Sequence, residues 1–447
     1  MSQTDRALSI IDDLLAAAVR AGADSADAIL IDRRSLSMAW RLGRQETIER
    51  AEGIDLGLRV FVGQRQAIVS SSDLSGDACR HLVERAVAMA RIVPADPWCG
   101  LAGSDEVAKD LADVDGWEAG DVEVGVLADR AAAAEAAALA VPGVRNSEGA
   151  EAGWGADRFA IAATNGLART FARSWHSLSV SVLAGEGTGM ERDYDYASAV
   201  YAQDLRDPAA IGRSAGEKAV RRLGPRKVGS AQVPVVFDPR VARSILGHLT
   251  GAINGQSVAR GTTFLKDKMG EPVFRPGVTI VDDPLRRRGL RSRPCDVEGI
   301  AARRLHVIDD GRLTTWLLDL RSARQLGLAP TGHAGRSAGS PPAPMASNVY
   351  LAPGTASPAA LIGDIDAGLY VTEMMGFGVN GVTGDYSRGA SGFWIERGEI
   401  AYPVSEITVS GNLMEMFRHL TPANDLEFRY GVDSPTVRID GMTVAGC

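Results

Sequence analysis

The sequence predicts an α+β protein, with antiparallel sheets and flanking helices in N-terminal α+β domains, followed by a large strand-rich C-terminal domain. Three observations carry this. Helical periodicity, then strand-like runs, then a second helical stretch fill the first hundred residues, and the same kinds of segment return between 122 and 223. Asn-Gly, Asp-Gly and Arg-Gly pairs separate strand-like runs, as tight hairpins require. Glycine supplies 50 of 447 residues and aromatics only 6%, which favours many tight turns between short elements.

Taken in order, Leu8, Ile11, Leu15 and Ala18 share one helical face, and Gly22 is placed to end that helix. Ile54, Leu56, Leu58 and Val60 alternate with polar or small residues, and Gly63 to Gln66 offers a turn into a partner strand ending at Val69. A helix over 76–93 follows, stopped by Pro94. The Asp-, Gly- and Pro-rich stretch 94–120 reads as a boundary, and an Ala-rich helix spans about 122–140. Asn165-Gly166 suits a type I′ hairpin between Phe159-Ala160-Ile161 and Thr170-Phe171. A helix over 208–223 ends at Gly224-Pro225, and Asp238-Pro239 caps another that runs to about Ile253. Hairpins are expected at Asp310-Gly311 and Arg397-Gly398. No fixed-period repeat is visible. At roughly 150 residues per domain the chain divides into three, 1–100, 101–227 and 228–447.

A net charge of -8 argues against direct nucleic-acid binding, which needs a basic face. Four scattered cysteines without a C-x-x-C pair signal neither a disulfide framework nor a zinc ribbon. No stretch is apolar enough for a membrane span or a signal-peptide core, so the expected location is the cytoplasm.

Two motifs fail on context. Gly376-Phe377-Gly378-Val379-Asn380-Gly381 matches G-x-G-x-x-G but runs into Val382-Thr383-Gly384, which cannot open the helix a dinucleotide site needs. Gly335-Arg336-Ser337-Ala338-Gly339 matches the nucleophile elbow, yet Pro330 before it and Pro341-Pro342 after it deny the strand and helix, and the reading is a mobile loop. The six histidines are too dispersed for a local metal site, and Cys295 reads as inert.

The informative segment is 371–413. It contains Val382-Thr383-Gly384-Asp385-Tyr386-Ser387-Arg388-Gly389-Ala390, then Gly392-Phe393-Trp394-Ile395-Glu396, then Tyr402-Pro403-Val404. Together with Ser347-Asn348 and Leu351-Ala352-Pro353-Gly354, it closely resembles the TldD/PmbA family, in its PmbA (TldE) branch, over nearly the whole chain. TldD-branch members resemble metallopeptidases with His-Glu-x-x-x-His on a helix and a later Cys ligand. The matching helix here holds one histidine, His248, and no Glu; Leu246, Gly247 and Gly251 stand at the zinc-motif positions. No Cys occurs between Gly411 and Val444.

The resemblance therefore implies a partner subunit with no catalytic residue and no metal of its own, and zinc in a TldD-like subunit. The two would form a heterodimer that cleaves unfolded peptides, including precursors of microcin-type antibiotics, with a homodimer as the form in isolation. Asn348, Glu373, Asp385, Tyr386, Ser387 and Arg388 are the expected peptide-groove residues. A regulatory protein acting on DNA gyrase or its inhibitor is the alternative, and hydrolysis by a homodimer without zinc a third.

Overall fold

The computed structural model describes residues 3–446. Helix α1 (Gln3–Arg20), strands β1 (Ser25–Arg41), β2 (Arg44–Val62) and β3 (Arg65–Ser71), and helix α2 (Gly76–Ile92) form a first unit. The same order returns in α3 (Val124–Leu139), β4 (Val144–Ala163), β5 (Ala168–Ala184), β6 (Glu191–Ala199) and α4 (Pro208–Arg221). The units share one antiparallel sheet, ordered β3-β2-β1-β4-β5-β6, with β1 and β4 paired from Asp27 opposite Ala163 to Trp40 opposite Ala150. So the chain does carry a repeat, of structure and not of sequence period.

Period-two alternation gives this sheet two apolar faces. On one, Leu30, Leu56, Leu58, Val60, Ala160 and Ala162 pack beneath α1 and α2, while Leu36, Met38, Ala152 and Trp154 pack beneath α3 and α4. On the other, Ile29, Ile31 and Ile161 meet Leu101, Val107 and Val297. The Asn165-Gly166 turn differs from the expected form. Only Gly166 takes a positive φ, because the Asn165 carboxamide accepts from Leu167 N and donates to Ala102 O, tying the turn to the linker.

The C-terminal part begins with β7 (Ala231–Phe237), α5 (Pro239–Ala252) and α6 (Gly255–Ala259). Short pieces follow: β8 (Ile280–Asp282), β9 (Leu305–Asp309), β10 (Arg312–Leu313), α7 (Leu320–Leu326), β11 (Ala334–Gly335), β12 (Ala343–Pro344), β13 (Val349–Leu351) and α8 (Pro358–Ile362). The chain closes with β14 (Ala367–Met375), β15 (Asp385–Glu396), β16 (Glu399–Asn412), α9 (Leu413–Arg418), β17 (Leu420–Pro422), β18 (Val432–Asp433) and β19 (Val437–Ala445). Its main sheet runs β16-β15-β14-β7-β19-β17, and a further β16–β19 pairing closes five of these strands on themselves. Asp310-Gly311 and Arg397-Gly398 both take the paired positive φ of I′ turns.

The G-x-S-x-G segment is no mobile loop. The Arg336 side chain is 1% exposed and its Nη1 meets Asp27 Oδ1 at 2.6 Å, while Gly57 in β2 lies so close to Ala338 O that a Cβ there would sit 2.0 Å away. The segment is the dock for the N-terminal sheet. Around it, Arg59 holds Asp27 through Nε at 2.7 Å and faces Glu298 Oε1 at 3.6 Å. Burial raises the Asp27 carboxyl, but Arg336 and Arg59 outweigh it and hold the group below its ordinary range. Burial raises Glu298 and Asp296; Arg59 opposes the rise at Glu298 and backbone amides and Arg293 oppose it at Asp296, without outweighing it.

Candidate functional site

Helix α5 is positioned from its start. Asp238 Oδ1 accepts from Arg240 N at 2.9 Å, Pro239 fills the first helical position, and Val241, Ala242, Ile245, Leu246 and Leu249 are buried in the C-terminal core. Tyr370 Oη donates to Asp238 from β14, and Arg240 Nη1 reaches Asp193 of β6 at 2.7 Å, fixing the helix against the neighbouring unit.

Of the three positions that the resemblance sets against the zinc motif, Leu246 is a core residue. Gly247 and Gly251 are exposed, and a Cβ on either would meet nothing within 4 Å, so this flank of α5 borders open space where another backbone could approach closely. Ser244 and His248 lie one turn apart on the same helix. Ser244 Oγ, His248 Nε2 and Tyr386 Oη are all buried without a hydrogen-bond partner. The His248 and Tyr386 rings meet edge-on with centroids 5.8 Å apart. Orphaned polar atoms are costly, and three of them around one helix turn suit a ligand able to pair with them.

The charges fit binding and not water activation. Burial, then the positive charge of Arg388, lowers the His248 pKa, so the imidazole is neutral at pH 7. Burial pushes the Tyr386 phenol up to about 12, with Arg388 opposing, and it stays protonated. The charge acting on His248 is a guanidinium, not the carboxylate that would orient a general base. Zinc needs three or four N, S or O ligands. Among the described residues no group of three His, Cys, Asp or Glu side chains could hold a metal, and Cys447 lies outside them. The residues present do not fit a zinc centre.

The expected groove residues disperse. Tyr386 and Arg388 adjoin His248, and Arg388 Nε donates to Gly376 O at 3.0 Å, pinning the glycine loop. Asp385 accepts from Thr383 Oγ1 at 2.6 Å within that loop, and Ser387 is exposed, its N donating to Gly378 O. Glu373 is bonded to Arg222, with Arg192 Nη2 at 3.7 Å, across the boundary with the middle unit. Asn348 is buried and bonds Arg291 N, Asp283 O and Ser292 Oγ, tying β13 to the 283–292 loop. Sequence reasoning named Gly247 and Gly251 only as positions of a lost zinc motif and did not single out Ser244, although the i, i+4 spacing of the two glycines marks one helix flank.

The fold and site define a class: an α+β protein with a duplicated N-terminal sheet, a closed C-terminal sheet, and a helix, α5, whose open flank carries two glycines beside His248. Three family descriptions match in succession: PmbA/TldA metallopeptidase domain 1 over residues 26–90, the central domain over 117–223, and the C-terminal domain over 230–446. The chain belongs to this PmbA/TldD family. It is 37% identical to Metalloprotease PmbA of Escherichia coli O157:H7, covering 100% of this chain and 98% of that one. A Bacteroides thetaiotaomicron structure, named a candidate modulator of DNA gyrase, superposes with a TM-score of 0.91 at 26% identity, covering 100% of both chains. TldE of Thermococcus kodakarensis gives 0.86 at 19% identity over 97% of this chain and 99% of that one, a likeness of fold. Among the described residues no helix is long and apolar enough to cross a membrane.

Proposed function

We propose that this chain is the non-catalytic, PmbA/TldE-type subunit of a cytoplasmic complex with a TldD-like metallopeptidase, and that it helps to hold unfolded or extended peptides, microcin-type precursors among them, for cleavage. The observation that carries the reading is the flank of α5. It combines open space beside Gly247 and Gly251 with unpartnered atoms on Ser244, His248 and Tyr386, and it lacks a ligand set for zinc. An extended peptide offers carbonyl and amide groups at regular spacing that such atoms can pair with. Zinc, water activation and bond cleavage belong to the partner in this scheme.

The test is metal content and peptide cleavage by this chain alone and mixed with a TldD-like chain. The chain alone is expected to be inactive and the mixture active. Arg388→Ala is expected to lower turnover by the mixture about tenfold with folding intact, because the loop at Gly376 loses its tie. Stoichiometric metal together with cleavage by the isolated chain refutes the assignment, and full turnover by the variant refutes the role of the α5 face. The name of the Bacteroides relative favours a second reading, a protein that binds gyrase or its inhibitor. Capture of gyrase by the isolated chain, with no gain in cleavage on adding a TldD-like chain, would select it.

A further inference from the structure

Five arginines fall within residues 286–293, between β8 and β9, in a chain whose net charge is -8. A turn closed by Gly289 N on Arg286 O at 3.1 Å, with Arg288 held at a φ of 53°, curls the first three of them round one hollow. Its volume is about 200 Å³. The end of β6 walls it on one side, and the 428–431 loop brings up a fourth arginine, Arg429. Four arginines therefore line the hollow against a single acidic residue, Asp204.

The four are unequally engaged. Arg288 donates to Asp115 at 2.8 Å and to Asp204 at 3.0 Å, Arg287 donates to Asp115 at 3.2 Å, and Arg429 is bonded to Glu427. Arg286 has no such partner: its guanidinium lies 3.6 Å from the centroid of the Phe428 ring and forms no ion pair among the described residues. Burial lowers its pKa, and Asp433 and Asp283, the acids that oppose this, do not outweigh it. Nearby, Arg243 of α5 lies over the ring of Tyr430, a residue of the same wall, and Arg291 is lowered by burial and then by the positive charge of Arg243. Neither forms an ion pair among the described residues. Half-buried positive charge is thus left without an offset, and an anion entering the hollow would supply it. A carboxylate brings one charge and a pair of oxygens, which one guanidinium can satisfy. A phosphoryl group brings three acceptor oxygens and close to two charges, which suits guanidiniums converging from two loops. The hollow is smaller than the roughly 300–1,000 Å³ of drug-sized sites, so it holds a phosphoryl group and leaves most of any carrier outside.

We propose that this hollow binds a phosphoryl dianion, carried as free phosphate or on a nucleoside, with Arg286 as the main contact and Arg287, Arg288 and Arg429 around it. The site uses neither the glycine flank of α5 nor Tyr386 and is independent of the peptide reading. Its test is calorimetric titration of the full chain at pH 8 and low ionic strength with inorganic phosphate, with AMP and, as a control, with acetate. Saturable binding of phosphate or AMP, about tenfold or more tighter than acetate, is expected. Tighter binding of AMP assigns a nucleoside carrier, and AMP no tighter than phosphate assigns the free ion. Arg286→Met keeps the apolar contact with Phe428 and breaks no ion pair, so it is expected to weaken the binding about tenfold without lowering the thermal midpoint. Arg429→Gln, which gives up only the pairing with Glu427, is expected to weaken it several-fold and keeps the test open if the first variant misfolds. Absence of saturable binding by both phosphate and AMP, acetate binding as tightly as they do, or variants that bind like the parent overturns the proposal.

Discussion

The buried charges at the dock between sheet and barrel make a prediction that runs against simple counting. Asp27 lies between two guanidinium groups, bonded by Arg59 through Nε and meeting Arg336 Nη1 at 2.6 Å, with each side chain at most 5% exposed. Charge centres roughly 4 Å apart attract by about 4 kcal/mol at an effective dielectric near 20. Arg336 also carries a burial cost of several kcal/mol, and its Nε and Nη2 lack partners. Arg336→Met therefore removes an attraction and a penalty together while leaving Asp27 bonded to Arg59, for an expected loss of about 1–3 kcal/mol. Asp27→Asn removes both attractions and leaves two cations buried side by side, for about 3–5 kcal/mol, so the isosteric change is the more damaging one. Urea unfolding at pH 7, followed by Trp fluorescence and by circular dichroism, reads the order, and coincidence of the two curves tests whether one free energy describes the transition. Equal losses, or a D27N loss below about 1 kcal/mol, would refute the view that Asp27 is the hub.

Two further expectations concern the same dock. Glu298 has a pKa raised from 4.5 to about 8, first by burial and with Asp296 adding to it. A carboxyl raised in the folded state favours folding below its unfolded pKa, and this contribution drains away as pH climbs from about 4.5 through about 8. Glu298→Gln should therefore gain thermal stability relative to the parent on going from pH 5 to pH 8, and an unchanged difference between the two midpoints sinks the argument. Gly57→Ala places a Cβ 2.0 Å from Ala338 O, a backbone atom that cannot swing aside. It should loosen the 335–339 segment and make it a site of protease cutting, at a cost of about 1–3 kcal/mol, whereas resistance equal to the parent's would show that the contact yields freely.

What the sequence disclosed was local. Asp238-Pro239 announced α5, and Asp310-Gly311 and Arg397-Gly398 announced their hairpins, because cap and turn chemistry acts over a few residues. Asn165-Gly166 looked equivalent, but Ala102, far back along the chain, claims the Asn165 amide and alters the turn. The joining of two helix–sheet–helix units along β1 and β4 depends on pairing across more than a hundred residues, and no periodicity encodes it. Arg336 passed for part of a loop because Asp27 lies in a distant strand. Near α5 the sequence displays residue types alone, one histidine and no Glu. The unpartnered atoms of Ser244, His248 and Tyr386 become visible only once helix and strand are set against one another. Glu373 and Asn348 were the opposite case, conspicuous in distinctive segments and yet engaged elsewhere, one across a unit boundary and the other with the distant 283–292 loop.

The seam between β1 and β4 governs how this chain can be made. The first three strands emerge from the ribosome with the long flank of β1 unmet, and that flank must wait for β4, some hundred residues later, to zip along it from Asp27 to Trp40. Until then a nascent or truncated product ending in the 94–120 linker offers a sticky margin to any neighbour, so early termination there should yield aggregates and not a tidy half-molecule.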